Sequence, residues 1–225
     1  MPDSADPTPA LQQELESIYC LYAALARFLD PETGLGGKLV FAGELSEVAT
    51  RLLRAANIAG AASLIASVDA PALRLAMREG ALDFVVTSLD EALRILKNEI
   101  RKRQPVSVGI SVAPEVIAKE MIDRGVQPDL LARDFRTTPE GETFILRGAF
   151  IAKPVALAPG ATFSVLSVPP GGQQSATAVE DSLLKSLPAE DHANRRWVRL
   201  APRYLTAAAR PFRSITRQEP HFSAR

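Results

Sequence analysis

Few residues of this chain are of a type that does chemistry. It has one cysteine, Cys20, and two histidines, His192 and His221. A nucleophile needs a base within hydrogen-bond reach and a third group to orient that base. No such constellation stands out here. Cys20 sits on a stretch of helical spacing and reads as a small buried hydrophobe. His192 and His221 read as surface residues. The same three residues give no metal-ligand spacing, so no metal is expected. The candidates that remain are carboxylates and hydroxyls, and their value depends on the elements that hold them.

Those elements follow a rhythm. Residues 1–9 are acidic and Pro-rich and read as a disordered leader. Leu11 to Leu29 carries apolar residues at helical spacing. Pro31 to Gly37 is a turn. Short apolar runs then alternate with helical stretches. The strands are expected at 38–42, 61–68, 82–87, 106–111 and 128–133. The helices between them are expected at 44–58, 71–79, 88–102 and 114–124. Ser88 with Glu91 three residues on is a capping box. Strands that are apolar throughout are covered on both faces, and each crossover is long enough for a helix. The expected fold class is therefore α/β, a doubly wound parallel sheet of Rossmann-like type over residues 10–134. The rhythm breaks after 134. The stretch TTPEGETFILRG (137–148) reads as a strand pair, 155–157 and 162–168 as strands, and PPGGQQS (169–175) as a loop. Residues 176–186 and 193–205 read as helices. Residues 135–225 are thus expected to form an α+β appendage that ends in an Arg-rich arm.

Ligands of an open parallel sheet bind beyond the carboxyl ends of its strands, where strand order reverses. That rule nominates Gly43, Glu44 and Ser46 after the first strand, and Ser67 and Asp69 after the second. It adds Thr87-Ser88 after the third, Ser111 after the fourth and Arg133-Asp134 after the fifth. A dinucleotide site wants glycines in the first turn, so that backbone N–H groups approach a pyrophosphate. This turn instead carries Glu44 and Glu47. A carboxylate there repels phosphate. Asp69 stands where an acid would hold a ribose hydroxyl, but a helix cap is the first reading of such a residue.

The composition narrows the class further. The 225 residues carry 26 basic and 26 acidic side chains, and 47% are hydrophobic. That is globular composition. No apolar run approaches a membrane span, and the start has no signal-peptide pattern. With a lone cysteine, a reducing cytoplasmic setting is expected. The charge is uneven, however. From Arg195 to Arg225 there are eight arginines and one acid, Glu219. Trp197, Leu200, Tyr204 and Phe212 lie among them, so a buried docking arm is expected rather than a nucleic-acid tail. The partners expected are a second copy of the chain through that arm and a small molecule at the strand ends.

The stretch from about Ile18 to Asp129 resembles the central NAD-binding domain of urocanase (urocanate hydratase). GKLVFAGELSEVATRLLRAANIAGAASL, Gly37 to Leu64, matches the family's glycine-rich segment without a gap. Asp69, Asp83, Leu89-Asp90-Glu91-Ala92-Leu93, Val106 to Ile110 and Arg124-Gly125-Val126-Gln127-Pro128-Asp129 follow in the family's order. The departures fall where the family holds its ligands. The glycine loop becomes Glu44-Leu45-Ser46-Glu47-Val48-Ala49-Thr50, an acid after the second strand becomes Ser67, and an H-G-N becomes Ser111-Val112-Ala113. The family's motif after R-P-D becomes Ala132 to Pro139. The resemblance implies a Rossmann-like scaffold, subunit assembly and, in the family, hydration of urocanate through tightly held NAD. The lost residues imply a non-catalytic binding or assembly protein. The alternative is a small enzyme or nucleotide-binding protein with altered strand-end residues. No cofactor is expected, or NAD if the altered loop still binds it.

Overall fold

The computed structural model describes residues 6–157, 161–169 and 172–218, with the side chains of 217 and 218 left aside. Six parallel strands form one sheet: β1 (Leu39–Glu44), β2 (Ala62–Ala66), β3 (Phe84–Val86), β4 (Val106–Ile110), β5 (Leu130–Ala132) and β6 (Phe150–Ala152). Their order is β3-β4-β2-β1-β5-β6. From β1 the chain lays β2, then β3 at the edge and β4 between them, and it then returns to lay β5 and β6 on the other side of β1. Strand order therefore reverses between β1 and β5.

The helices are α1 (Pro9–Ala26), α2 (Glu47–Ala59), α3 (Ala70–Arg78), α4 (Leu89–Lys102), α5 (Pro114–Asp123), α6 (Pro139–Leu146), α7 (Gly172–Ser186) and α8 (His192–Tyr204). Alternate side chains of β1 enter two separate cores, as the two-residue strand period requires. Val40 and Ala42 join α1, α2, α3 and α8, whereas Leu39 and Phe41 join α4, α5 and α6. A small antiparallel sheet of β7 (Ala161–Ser167) and β8 (Phe212–Gln218) lies beyond the main one. Among the described residues no helix is long and apolar enough to cross a membrane.

Several expectations change. Pro9, expected in the leader, is the first residue of α1, with Thr8 Oγ1 accepting from Leu11 N–H at 3.3 Å. Residues 1–5 lie outside the described residues. The stretch expected as a strand pair, 137–148, holds α6 instead, and β6 follows it. Thr138 caps α6, Pro139 opens it, and Glu140 and Glu142 face its positive end. β6 then extends the main sheet past residue 134 by pairing with β5. Residues 155–157 form no strand, although Val155 N–H donates to the Cys20 carbonyl at 3.3 Å. Helix α7 begins at Gly172, inside the stretch expected as a loop. Cys20 is only partly buried, because it lies at the margin of the face that α1 presents to the core.

The start of α4 yields a first expected result. Ser88 Oγ accepts from Glu91 N–H at 3.3 Å. The Glu91 carboxylate reaches one residue further back than a standard box, to Thr87 N–H at 2.9 Å and Thr87 Oγ1–H at 3.2 Å. Ser88→Ala is expected to cost about 0.5–2 kcal/mol, read as a shift in the denaturation midpoint. The Thr87 donors hold the Glu91 pKa below its ordinary value. The contribution of Glu91 is therefore complete above the ordinary glutamate pKa and lost as pH falls through the lowered one. Glu91→Gln should flatten that part of the acid-stability curve, and an unchanged curve would contradict the assignment.

Candidate functional site

A pocket of about 530 Å³ opens at the point of strand reversal, beyond the carboxyl ends of β1, β5 and β6. Its floor is apolar, with Leu21, Ala42, Leu52 and Ala132 among its walls. Glu44, at the last position of β1, stands on the rim. Ser46, the N-cap of α2, is beside it. The turn after β5, Arg133–Thr137, brings Arg133, Asp134 and Phe135, and the first turn of α5 brings Glu115. Three carboxylates and one guanidinium thus ring an apolar base. No ion pair joins them to one another.

Local hydrogen bonding takes up part of this polar set. Ser46 Oγ accepts from Ala49 N–H at 3.1 Å, and Glu44 Oε1 accepts from Leu45 N–H at 3.0 Å. Gly43 lies between Ala42 and Glu44 at φ +71°, in the left-handed region that favours glycine. A Cβ placed on Gly43 would come within 2.9 Å of Phe135 Cδ2. The Phe135 ring is itself buried, edge-on to Phe41 at 4.9 Å. The open face of the glycine is therefore occupied by an aromatic ring of the same chain.

The other nominated residues lie elsewhere. Ser67, Asp69 and Ser111 end β2 and β4, on the far side of β1 from the reversal, and do not line this pocket. Ser67 is buried and its Oγ accepts from Asp69 N–H at 3.2 Å. Asp69 Oδ1 caps α3 by accepting from Ala72 N–H at 2.9 Å. Ser111 N–H donates to the Val86 carbonyl at 2.9 Å. Phe135 and Glu115 were not singled out from the sequence. Their part depends on β5 lying next to β1, which no local pattern announces. His192 is exposed at the start of α8, and His221 lies outside the described residues. Among the described residues no group of His, Cys, Asp and Glu could hold a metal ion.

A larger hollow of about 710 Å³ lies between α1 and the β7–β8 sheet, away from the strand ends. In its wall Tyr19 O–H donates to Asn194 Oδ1 at 2.7 Å, and Asn194 Nδ2–H donates to Asp191 Oδ2 at 2.8 Å. Burial raises the Tyr19 pKa. A phenol held in its neutral form suits a structural hydrogen bond better than proton transfer.

Two of the acids that carry the family resemblance hold the sheet together. Asp129 Oδ2 accepts from Leu39 N–H at 2.9 Å, while its Oδ1 pairs with Lys38 Nζ at 2.9 Å. Asp83 Oδ2 accepts from Ser107 N–H at 2.8 Å. Both anchor the start of a neighbouring strand. The resemblance is thus carried in part by the framework. The family model that matches describes the urocanase Rossmann-like domain, and it matches residues 17–136, from within α1 to the turn that carries Phe135. The chain belongs to the urocanase family through this Rossmann-like domain.

Proposed function

We propose that this protein is a non-catalytic binding protein on a urocanase scaffold, and that it does not use NAD. The contact between Phe135 and Gly43 carries this reading. A pyrophosphate needs the backbone of the first turn bare, so that N–H groups can approach it. Here a buried ring lies against the glycine at that turn. The carboxylates of Glu44, Glu115 and Asp134 around the same pocket oppose a phosphate by charge. These residues do not fit a dinucleotide.

The pocket suits a smaller guest. Its volume lies within the usual range for small-molecule sites. The apolar floor would hold a compact body, and the acidic rim would take a cationic or hydrogen-bond-donating group. A role in binding is favoured over a role in assembly, because the apolar side chains of the C-terminal arm are taken up inside the chain. Trp197, Val198, Ala201 and Ile215 are all buried there. The test is a hydration assay with urocanate, with and without added NAD, following loss of the ultraviolet absorbance of the conjugated acid. The expected result is no loss above buffer. Turnover that scales with protein concentration would overturn the reading.

A further inference from the structure

A third concavity, of about 690 Å³, lies between the first turn of α7, the outer face of α8 and the turn that leads into β8. It shares no residue with the pocket at the strand reversal. Its chemistry is independent of the function proposed for that pocket. Four arginines line it: Arg199 and Arg203 from α8, Arg210 from the turn and Arg213 from β8. Its one carboxylate, Glu180, is already engaged by Arg213 Nε–H at 2.7 Å. Arg213 also donates from Nη1 to the Arg210 and Phe212 carbonyls, both at 2.9 Å, so it forms a fixed wall.

Arg199, Arg203 and Arg210 are different. All three are exposed, and none makes an ion pair among the described residues. Arg203 lies over the ring of Tyr204, 5.5 Å from its centroid. Arg199 and Arg203 stand four residues apart on one helix face, a like-charge spacing that destabilises a helix. The chain as a whole has no net charge, so this is a local concentration rather than part of a basic protein. Into the same space opens the start of α7, with Gly172, Gln173 and Ala176 on the wall. The N-terminus of a 15-residue helix adds the positive end of its dipole. Pro169, Pro202 and Pro211 complete the walls and carry no N–H of their own.

Three unpaired guanidinium groups facing one concavity call for an anion of more than one charge. The planar fork of arginine matches phosphate oxygens two at a time. We propose that this concavity binds a small oligophosphate, a diphosphate or triphosphate group free or borne on a small molecule. The concave shape favours a compact anion over an extended polymer. A solvated basic face would instead spread its charges over a convex surface.

Calorimetric titration of the full chain with pyrophosphate and tripolyphosphate tests this, with the double variant Arg199→Gln/Arg203→Gln beside it. Both side chains are exposed, so the variant should keep the parent's circular dichroism and melting midpoint. Arg210→Gln alone is the second probe should the double variant fail to fold. The expected result is saturable binding by the parent that weakens about tenfold or more in either variant. Absence of saturable heat, or equal affinity in parent and variants, would overturn the proposal. Binding of a short DNA duplex or of anionic vesicles without binding of tripolyphosphate would overturn it as well.

Discussion

Replacing Trp197 by alanine is expected to destabilise the protein by about 3–5 kcal/mol, the usual range for a fully buried tryptophan. Trp197 has no solvent exposure. Its ring meets Tyr19 edge-on at 5.1 Å and Tyr22 at 5.2 Å, which fastens α8 to α1. Its indole N–H donates to the Ser214 carbonyl at 3.2 Å and to Ser214 Oγ at 3.1 Å, which fastens α8 to β8. The substitution opens a cavity and leaves the Ser214 acceptors without this donor. At this chain length the melting midpoint should fall by about 10 °C. The mass by light scattering should not change, because the surface that covers Trp197 belongs to the same chain. Truncation after Ala193 removes the same anchor and should abolish cooperative unfolding. Stability kept while a dimer falls to a monomer would mean that the arm is covered by a second subunit.

The second large effect is expected at Arg54. This arginine is 2% exposed and has no carboxylate partner among the described residues. It donates from Nη1 to the Tyr204 carbonyl at 2.8 Å and from Nη2 to the Glu79 carbonyl at 3.0 Å. Those carbonyls end α8 and α3, where the negative ends of two helix dipoles meet one guanidinium. Burial lowers the Arg54 pKa, yet arginine keeps its proton under all ordinary conditions. Arg54→Met keeps the length and removes the donors. Two part-buried carbonyls then lose their partner, at about 1–3 kcal/mol each. The expected loss is about 3 kcal/mol in chemical denaturation. Arg54→Lys should rescue little, because one ammonium cannot reach both carbonyls as the fork does. A shift below about 1 kcal/mol for Arg54→Met would show that water replaces the donors.

Arg54 also shows how much of the molecule is legible in its sequence. Its helix is plain from apolar spacing, and the five strands from β1 to β5 are plain from their short apolar runs. Their partners are not. The eight arginines near the C-terminus look like a single basic feature, yet Arg195 and Arg196 donate to the carbonyls of Leu184 and Ile58. Only the folded chain separates arginines that hold helix ends from those that face solvent. At α6 two local signals conflict. Thr143, Phe144 and Ile145 favour strands, whereas Thr138-Pro139 and the acids after it mark a helix start, and the helix signal prevails in the fold. For the pocket, the reversal rule pointed to the ends of β1 and β5 that line it, including Glu44, Ser46, Arg133 and Asp134. It also nominated Ser67, Asp69 and Ser111, because strand order is not written in the periodicity. Phe135 was hidden for the same reason. Its contact with Gly43 exists only because β5 lies beside β1.

The most direct measurement is a melting series of the purified protein with increasing NAD, with mass spectrometry of the untreated sample. A ligand at a hundredfold excess over its dissociation constant stabilises the folded state by about 2.7 kcal/mol, an upward shift of about 5–10 °C here. The prediction is no saturable shift and no dinucleotide mass released on denaturation. A saturable rise of that size, or NAD carried through purification, would contradict the reading of Phe135 and Gly43 as a closed cofactor loop.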